Sequence, residues 1–352
     1  MSNEAKVTSL NVARLAGVSQ SAVSRVFSGA SASKSTIKKV KAAAEQLGYQ
    51  PNSLARAMIT GRSRIIGLVV AYLDNQFYPI ALEKLSNALQ EKGYHILVFM
   101  ASNSSEGIDT VMSELMAYQV DGIITASVAM SSDLTDRCAA AGIEVVMFNR
   151  AQDGSGLSSV TSDNVAGGRK VAEFLVAGGH RRIAHIAGWG GSSTGRDRAR
   201  GFAQGLADAG MTPLEVIDGM YTREAAAQAA RDLMKRADTP DAIFVGNDHM
   251  AFPVMDVLRG ELALSVPDDV SVVGYDDVPL ASWPVYDLTS LRQPVKRMVD
   301  ATVDTLLGQI ENPERPKQKT EIAGPLIVRG SARVPDGWAR CIGMKVGRNE
   351  RL

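Results

Sequence analysis

Polar side chains follow several short apolar runs that are typical of buried strands. Asn149 comes directly after one such run, Asn247 and Asp248 after a second, and Asp276 and Asp277 after a third. Any one of them could simply cap the helix that follows. Because ligands of parallel sheets bind beyond the carboxyl ends of the strands, three such positions together favour a cleft lined with hydrogen-bonding groups.

Spacings typical of catalysis or metal binding are missing from the sequence. Its four histidines and two cysteines show no metal-type spacing, and no Ser/His or Cys/His pair lies in a supporting motif. The run from Gly188 to Ser193 nearly matches the Gly-x-Gly-x-x-Gly of dinucleotide-binding oxidoreductases, but no acidic residue ends a following strand at the needed distance. We therefore expect no enzyme activity, no cofactor and no metal, and free thiols in a reducing cytoplasm.

Residues 1–62 form a basic head on an acidic body. Nine basic side chains in this segment oppose two acidic ones, a net charge of +7, whereas the remaining residues carry −7 and the whole chain is neutral. A basic segment favours a polyanionic partner, with DNA or RNA as the first candidate. A merely solvated basic face is the alternative.

The head has the pattern of a helix-turn-helix followed by a third helix. Apolar residues recur at helical spacing over 8–16, 20–27 and 34–47, Gly17 suits a left-handed turn, and Ser19 can cap the second helix. In this geometry the second helix enters the major groove of DNA, where amides, hydroxyls and a guanidinium read base edges. An ordinary three-helix cap would share the apolar pattern.

Beyond the head, strand-like runs alternate with helical stretches. The predicted strands are 65–70, 95–100, 122–126, 144–148, 182–187, 242–245 and 271–274. The predicted helices lie near 79–92, 105–118, 133–141, 164–177, 197–209, 223–236, 248–259 and 294–309. This alternation of nearly continuous apolar strands with helices indicates parallel sheets covered on both faces, and the series is long enough for two doubly wound lobes.

Long ordered motifs resemble those of the lactose/galactose repressor (LacI/GalR) family of transcription regulators. Residues 8–19 and 23–26 look like the start of that family's head, 48–56 look like the end of the head and its hinge, and further matches continue to about residue 332. The resemblance implies an all-α helix-turn-helix head and an α/β, two-lobed, periplasmic-binding-protein-like (type I) core of doubly wound parallel sheets.

The resemblance also implies where the domains begin and end. The head would be residues 1–50, a hinge helix and linker 51–63, and the effector-binding and dimerisation domain 64–332. Residues 333–352 extend past the family's usual end, and we expect a loosely ordered tail. Met58 stands where the family has a leucine that wedges into the minor groove, and simple packing between hinge helices is the alternative.

Positions matched to the family imply which residues of the head touch DNA. Gln20 and Ser21 would open the recognition helix and read bases, with Arg25 one turn further on. Three serines would bind phosphates, which position the protein without specifying sequence. These serines are Ser19, Ser24 and Ser28, the last standing where the family usually has asparagine.

Matched positions in the core imply a set of effector-binding residues. Polar side chains would hydrogen-bond the effector, and aromatic side chains would cover its apolar side. The polar residues are Asn149, Arg198, Asn247 and Asp276, with Gln293 nearby, and the aromatic residues are Phe77, Tyr78 and Tyr221. Such a site suits a sugar, polyol or sugar acid, and a purine is the alternative because the same aromatics would hold it.

The expected protein is therefore a cytoplasmic, homodimeric repressor of carbohydrate-utilisation genes. It would bind a roughly palindromic operator in double-stranded DNA, with its affinity controlled by a small-molecule effector. A secreted sugar-binding protein for transport is the alternative, but the N-terminus has no signal region and the basic head argues against it. No apolar run approaches the roughly 20 residues of a membrane span, so no membrane association is expected.

Overall fold

The computed structural model describes residues 7–28, 31–50, 62–101, 105–128 and 130–340. Met58 and hinge residues 51–61 lie outside these ranges, as do residues 341–352 of the predicted tail. The described residues form a three-helix head and a body with two six-stranded sheets.

The head packs three helices around one small apolar core. They are α1 (Ser9–Ala16), α2 (Gln20–Ser28) and α3 (Lys34–Gln46). Each agrees with its prediction to within one residue at either end. The buried core consists of Val12, Ala13, Val23, Val40, Ala43 and Ala44. Because one stripe of each helix fills this core, the opposite face of α2 stays exposed.

The turn between α1 and α2 forms as predicted. Gly17 has a φ of 64°, in the left-handed region that glycine enters at little cost. The Ser19 hydroxyl oxygen accepts a hydrogen bond from the Ala22 amide at 3.2 Å and so caps α2. These two features set the direction in which α2 leaves the turn.

The N-terminal lobe is an all-parallel sheet with strand order β11-β5-β4-β3-β1-β2. Its elements in chain order are β1 (Ile65–Val70), α4 (Phe77–Glu91), β2 (His95–Met100), α5 (Ser105–Ala117), β3 (Gly122–Ala126), α6 (Ser132–Ala140), β4 (Glu144–Phe148), β5 (Ser158–Ser162), α11 (Val295–Glu311) and β11 (Lys319–Ile322). Strands β3 and β5 are buried throughout, as expected of a parallel sheet covered on both faces.

The C-terminal lobe has strand order β12-β10-β9-β8-β6-β7, with only β12 antiparallel among its described strands. Its elements are α7 (Asn164–Ala177), β6 (Ile183–Ala187), α8 (Ser193–Asp208), β7 (Val216–Asp218), α9 (Arg223–Met234), β8 (Ala242–Val245), α10 (Asp248–Asp256), a π-helical turn (Val257–Glu261), β9 (Ser271–Asp276), a 3-10 turn (Pro279–Ser282), β10 (Thr289–Arg292) and β12 (Leu326–Ile327).

Three segments cross between the lobes, because α11 and β11 return to the N-terminal lobe after β10. The crossings lie at Asp163, at residues 293–294 and at residues 323–325. In each sheet the strand order reverses, beside β1 in one lobe and beside β6 in the other, and this reversal leaves a crevice at the carboxyl ends of the strands. The two crevices meet between the lobes.

The predicted strands and helices are confirmed, but five short strands were not predicted. They are β5, β7, β10, β11 and β12. Strand β5 is Ser-Ser-Val-Thr-Ser, which reads as a polar loop although all five residues are buried. Helix α8 begins at Ser193 rather than at the predicted residue 197, because the Ser192 hydroxyl caps it by accepting from the Gly195 amide at 3.0 Å.

The start of the predicted tail packs against the C-terminal lobe. The Arg333 amide donates to the Ser271 hydroxyl at 3.0 Å, and the Trp338 ring lies edge-on to the Phe174 ring at 5.1 Å. The prediction of a loosely ordered tail is therefore wrong for residues 333–338. Packing of the half-buried indole against an apolar core provides the physical reason.

Candidate binding sites of the cleft and the head

Several strand ends that face the cleft adopt an uncommon backbone conformation. The φ value is 65° at Ser127 after β3 and 67° at Asn149 after β4. It is 58° at Tyr221 after β7 and 114° at Asp276, the last residue of β9. Positive φ is unfavourable for residues with a side chain and concentrates at binding and catalytic sites. The bends turn the chain at the level where the crevices of the two lobes meet.

Three of these ends, at Asn149, Tyr221 and Asp276, line a small cavity of about 10 Å³, the space of a single water molecule. The residues that line it come from both lobes and are polar or aromatic. They are Tyr72, Asn75, Tyr78, Asn149, Arg150, Thr194, Arg198, Tyr221, Asn247 and Asp276. The N-terminal lobe supplies the first five and the C-terminal lobe the rest.

Arg198 is a buried guanidinium held from four sides. Its Nε donates to the Asn164 side-chain oxygen at 2.9 Å, and its Nη1 donates to the Gly246 carbonyl at 2.7 Å. Its Nη2 lies 3.5 Å from Asp276 Oδ1, and the guanidinium carbon lies 3.6 Å from the centre of the Tyr275 ring. A side chain fixed in this way presents the same donors to any molecule in the cavity.

Asp276 lies opposite Arg198 with its own supporting contacts. Gln293 donates to Asp276 Oδ1 at 2.8 Å, and Asn75 of the other lobe hydrogen-bonds the same carboxylate. Burial raises the pKa of the Asp276 carboxyl, and the neighbouring Arg198 opposes that rise. The pair thus places an acceptor and a donor side by side.

The two asparagines of the cavity have different surroundings. Asn247 caps α10, because its side-chain oxygen accepts from the Met250 amide at 3.0 Å. Asn149 donates from Nδ2 to the Tyr78 hydroxyl at 3.0 Å, while its buried Oδ1 has no partner among the described residues. Asn247 therefore serves as a helix cap and as part of the cavity wall at once.

The exposed face of α2 in the head carries the predicted base-reading groups. Gln20, Ser21 and Arg25 are exposed, on the side of the helix away from Ala22 and Val23. Gln20 Nε2 donates to the Ser9 hydroxyl at 3.0 Å.

The three predicted phosphate contacts lie along the same helix. Ser19 is exposed at its start and its hydroxyl lies 2.9 Å from that of Ser21, whereas Ser24 and Ser28 are half-buried. The Ser28 hydroxyl donates to the Arg25 carbonyl at 3.3 Å.

Comparison with known proteins agrees with both parts of the chain. The profile of bacterial regulatory proteins of the lacI family matches residues 10–52, and that of the periplasmic binding protein-like domain matches residues 172–332. The ribose operon repressor of Escherichia coli (strain K12) is 30% identical over 331 residues, which are 92% of this chain and 99% of that protein. The chain belongs to the LacI family.

Solved structures of LacI-family proteins share the same fold. A lac repressor dimer bound to operator and the anti-inducer ONPF superposes with a TM-score of 0.83 at 28% identity, covering 93% of this chain and 99% of that one. The transcriptional regulator CelR in complex with cellobiose superposes with a TM-score of 0.71 at 31% identity, covering 93% and 100%. The helix-turn-helix head and two-lobed core predicted from the sequence are therefore confirmed.

Six of the eight predicted effector-binding residues line the central cavity. They are Tyr78, Asn149, Arg198, Tyr221, Asn247 and Asp276. Phe77 instead lies in the core of the N-terminal lobe, where it is 2% exposed and its ring stacks on Phe148 at 6.2 Å. Gln293 lies behind Asp276 and holds it. The roles of all eight in binding remain predictions.

Four residues of the cavity wall were not predicted. Arg150 directly follows the predicted Asn149, and Asn75 precedes the predicted aromatics by two positions, so adjacency was the available signal. Thr194 stands in the first turn of α8, whose start was placed too late. Tyr72 follows the end of β1 and carries no motif of its own.

The glycine-rich run from Gly188 to Ser193 forms the loop that leads into α8. The following strand, β7, ends at an acidic residue, Asp218. Its carboxylate is engaged within the loop region, accepting from the Gly190 amide at 3.1 Å and from the Met220 amide at 2.8 Å. Gly188 lies so close to the Tyr221 ring that a methyl group in place of its hydrogen would overlap the ring. The loop therefore braces the cavity wall.

Membrane-spanning helices and metal-binding clusters are both absent from the described residues. No described helix has the length and apolar content needed to span a membrane. Within the same residues, no three His, Cys, Asp or Glu side chains are grouped so that they could hold a metal ion.

Proposed function

We propose that this protein is a cytoplasmic, sequence-specific transcriptional repressor of carbohydrate-utilisation genes. A small sugar, polyol or sugar acid in the interlobe cavity would control its affinity for operator DNA. This proposal rests on the convergence of Arg198, Asp276 and Asn149 on one cavity between the lobes, in a chain that also has a helix-turn-helix head. The ribose operon repressor and the cellobiose complex of CelR are relatives that support a carbohydrate.

The chemistry of the cavity suits neighbouring hydroxyl groups. A guanidinium donates to two hydroxyls, a carboxylate accepts from two more, and Tyr78 and Tyr221 offer aromatic faces to the C–H side of a sugar ring. The Oδ1 of Asn149, a residue of the cavity wall, is a buried acceptor without a partner among the described residues. Because buried polar atoms are rarely left unpaired, this acceptor supports a ligand rich in donors.

The proposed active form is a homodimer on a roughly palindromic operator, by analogy with the lac repressor dimer. In this chain, large apolar side chains are exposed on the edge strand β2 and after the 3-10 turn of the C-terminal lobe. They are Val98 and Met100, which are 41% and 51% exposed, and Trp283 and Val285, which are 55% and 61% exposed. Such side chains favour burial against a partner.

In the proposed control of operator affinity, the effector changes the orientation of the two lobes relative to each other. Contacts between the lobes include the Ala151 amide donating to the Ser193 hydroxyl at 3.0 Å and the approach of His249 Nε2 to within 3.6 Å of Asp74 Oδ2. A cavity of about 10 Å³ is too small for a sugar, so ligand entry would rearrange these contacts. A coupling on the order of 1–3 kcal/mol between cavity and DNA would release the operator.

DNA binding with and without candidate effectors tests this proposal. Fluorescence anisotropy with DNA from the protein's own promoter region would be measured against scrambled DNA, with neutral sugars, polyols, sugar acids and purines added in turn. We expect specific binding at modest salt and a loss of affinity with one carbohydrate. A response to a purine alone would favour the alternative effector, and a protein that ignores both the promoter and every small molecule would contradict the proposal.

A further inference from the structure

A second, larger cavity lies beside the central one. Its volume is about 290 Å³, close to the lower end of the range of small-molecule sites. The loop after β4 and the loop and first turn of α8 form its walls, so both lobes contribute. The residues that matter here are Arg150, Asp153, Trp189, Ser192, Ser193 and Arg196. Arg150 lines both cavities and so connects them.

Arg150 is a buried cation without an acidic partner. It is 8% exposed, and its two terminal nitrogens donate to neutral acceptors, the Ser127 carbonyl at 3.0 Å and the Tyr72 hydroxyl at 3.2 Å. Its Nε is buried and has no partner among the described residues. No described carboxylate pairs with it, whereas Arg198, which is also buried, pairs with Asp276.

An unpaired guanidinium in the interior is unfavourable, because burial removes its hydration and nothing replaces the lost interaction. The aromatic rings near Arg150 offset only part of this cost. The guanidinium carbon lies 6.0 Å from the centre of the Trp189 ring and 5.7 Å from that of Tyr221. The missing partner in this position is an anion.

Two more features of the second cavity favour an anion. The N-terminus of α8, a helix of sixteen residues, opens into it through Ser192 and Ser193, and such ends attract negative charge. Arg196 adds a second guanidinium. The acidic residue of the wall, Asp153, is 81% exposed and already contacts Lys319 at 3.0 Å and Arg196 at 3.6 Å.

We propose that the second cavity binds an acidic group, a carboxylate or a phosphate, and that Arg150 is its main partner. The effector would then be an acidic sugar, with its hydroxyls in the central cavity and its charge beside α8. This inference rests on the proposed function and narrows it, because a neutral sugar would leave Arg150 uncompensated. A sugar acid and a sugar phosphate present the same charge to the site.

Thermal unfolding of the full-length protein with small anions tests the proposal without a known effector. Sodium phosphate, sodium acetate, sodium gluconate and glucose 6-phosphate would be titrated against sodium chloride at equal ionic strength, with glucose as the neutral reference. The variants are Arg150→Gln and, as a matched control, Arg200→Gln, which removes an exposed guanidinium from the same helix as Arg198.

At least one anion should raise the melting temperature of the wild type and of Arg200→Gln more than chloride does. Arg150→Gln should bind that anion on the order of 10- to 100-fold more weakly, because hydrogen bonds to a charged donor are lost. Stabilisation by gluconate or acetate alone would identify a carboxylate, and stabilisation by phosphate or glucose 6-phosphate alone would identify a phosphoryl group.

Two results would overturn the inference. In one, no anion exceeds chloride; in the other, Arg150→Gln responds as the wild type does. If a neutral sugar releases the operator while anions have no effect, the inference fails and the proposed function stands. A protein that does not bind its promoter at all would instead remove the proposed function, whatever the anions do.

Discussion

Among single residues, Arg198 makes the largest set of contacts in the central cavity. Replacing it with glutamine removes the donors to Asn164, Gly246 and Asp276. We predict that Arg198→Gln binds effector on the order of 100-fold more weakly, since hydrogen bonds to charged groups contribute about 1.5–3 kcal/mol each. Operator affinity without effector should stay close to that of the wild type. Isothermal titration with effector and anisotropy with operator measure the two quantities.

Arg200→Gln is the matched control for this prediction. Arg200 lies on the same helix, is 59% exposed and pairs with Asp197 at 2.8 Å. Exposed pairs of this kind contribute little, so the effector response of this variant should match the wild type. Full response of Arg198→Gln to the effector would show that the site is assigned to the wrong residues.

The buried His185 predicts a dependence of stability on pH. Burial lowers the pKa of His185 from 6.5 to about 4, and its Nδ1 donates to the Phe244 carbonyl at 2.9 Å between two phenylalanine rings. The unfolded chain takes up a proton near pH 6.5, whereas the folded protein resists it until about pH 4. The stability that the neutral form contributes is therefore complete above pH 6.5 and falls as the pH is lowered towards 4.

His185→Asn, which keeps a donor for Phe244, should reduce this dependence. The difference in unfolding free energy between pH 7 and pH 5 should shrink by about 2 kcal/mol relative to the wild type. Urea unfolding at the two pH values gives the difference directly. An equal difference in both proteins would mean that His185 does not titrate as its burial predicts.

Cavity-lining residues could be predicted from the sequence where they follow or end a strand. Asn149, Asn247 and Asp276 all line the cavity because the carboxyl ends of parallel strands meet there. Phe77 and Tyr78 were predicted together, yet neighbours on a helix point in different directions and only Tyr78 lines the cavity. Arg150 was missed because its importance comes from a lack of acidic neighbours, which depends on the tertiary structure.

At the scale of elements, α7 and α8 pack closely enough for glycine to be required. A methyl group at Gly201 would overlap the Val165 carbonyl oxygen, and one at Gly168 would overlap that of Arg198. We predict that Gly201→Ala destabilises the fold by about 1–3 kcal/mol, as overpacking usually does. It should also weaken effector binding, because Arg198 lies one turn earlier on the displaced helix.

Gly260→Ala provides the comparison, since a methyl group there meets no atom within 4 Å. Its unfolding free energy and effector affinity should stay near those of the wild type. Thermal unfolding and titration calorimetry cover both variants. Similar values for Gly201→Ala and Gly260→Ala would contradict the close packing of α7 against α8.

Substitutions on helix α2 of the head should affect DNA binding in two different ways. If Gln20 reads a base edge as predicted, Gln20→Ala should lose about 1–3 kcal/mol of discrimination at one base pair of each half-site. If Ser24 contacts a phosphate as predicted, Ser24→Ala should weaken binding evenly across operator variants, because phosphate contacts carry no sequence information. Binding to a set of operators with single base changes separates the two. An even loss with Gln20→Ala would remove it from base readout.

Longer elements were predictable from periodicity and short ones were not. The three head helices and the main strands of both sheets have strong apolar patterns and lie within a few residues of their predictions. Strands β7 and β12 have three and two residues, too few to show a period, and β5 consists of buried serines and a threonine around one valine. Their positions depend on pairing with neighbours already in the sheet.

For the whole molecule, the two lobes are joined by three short connections, at Asp163 and at residues 293–294 and 323–325. In the proposed control these connections act as hinges, so that the lobes rotate against each other as units when a ligand binds. The cavity lies beside these crossings, and residues 62–64 lead from the head side into β1. The two-lobed plan followed from the strand–helix alternation, but the crossings did not, because β10, β11 and β12 were not predicted.

The central claim is that the cavity and the operator are coupled, and reciprocal binding measures this most directly. The effector's dissociation constant would be determined by titration calorimetry with free protein and with protein saturated by operator DNA. Because coupling free energy is shared, operator should weaken effector binding by the same factor by which effector weakens operator binding, on the order of 5- to 150-fold. An effector that binds the free and the operator-bound protein equally tightly would contradict the account.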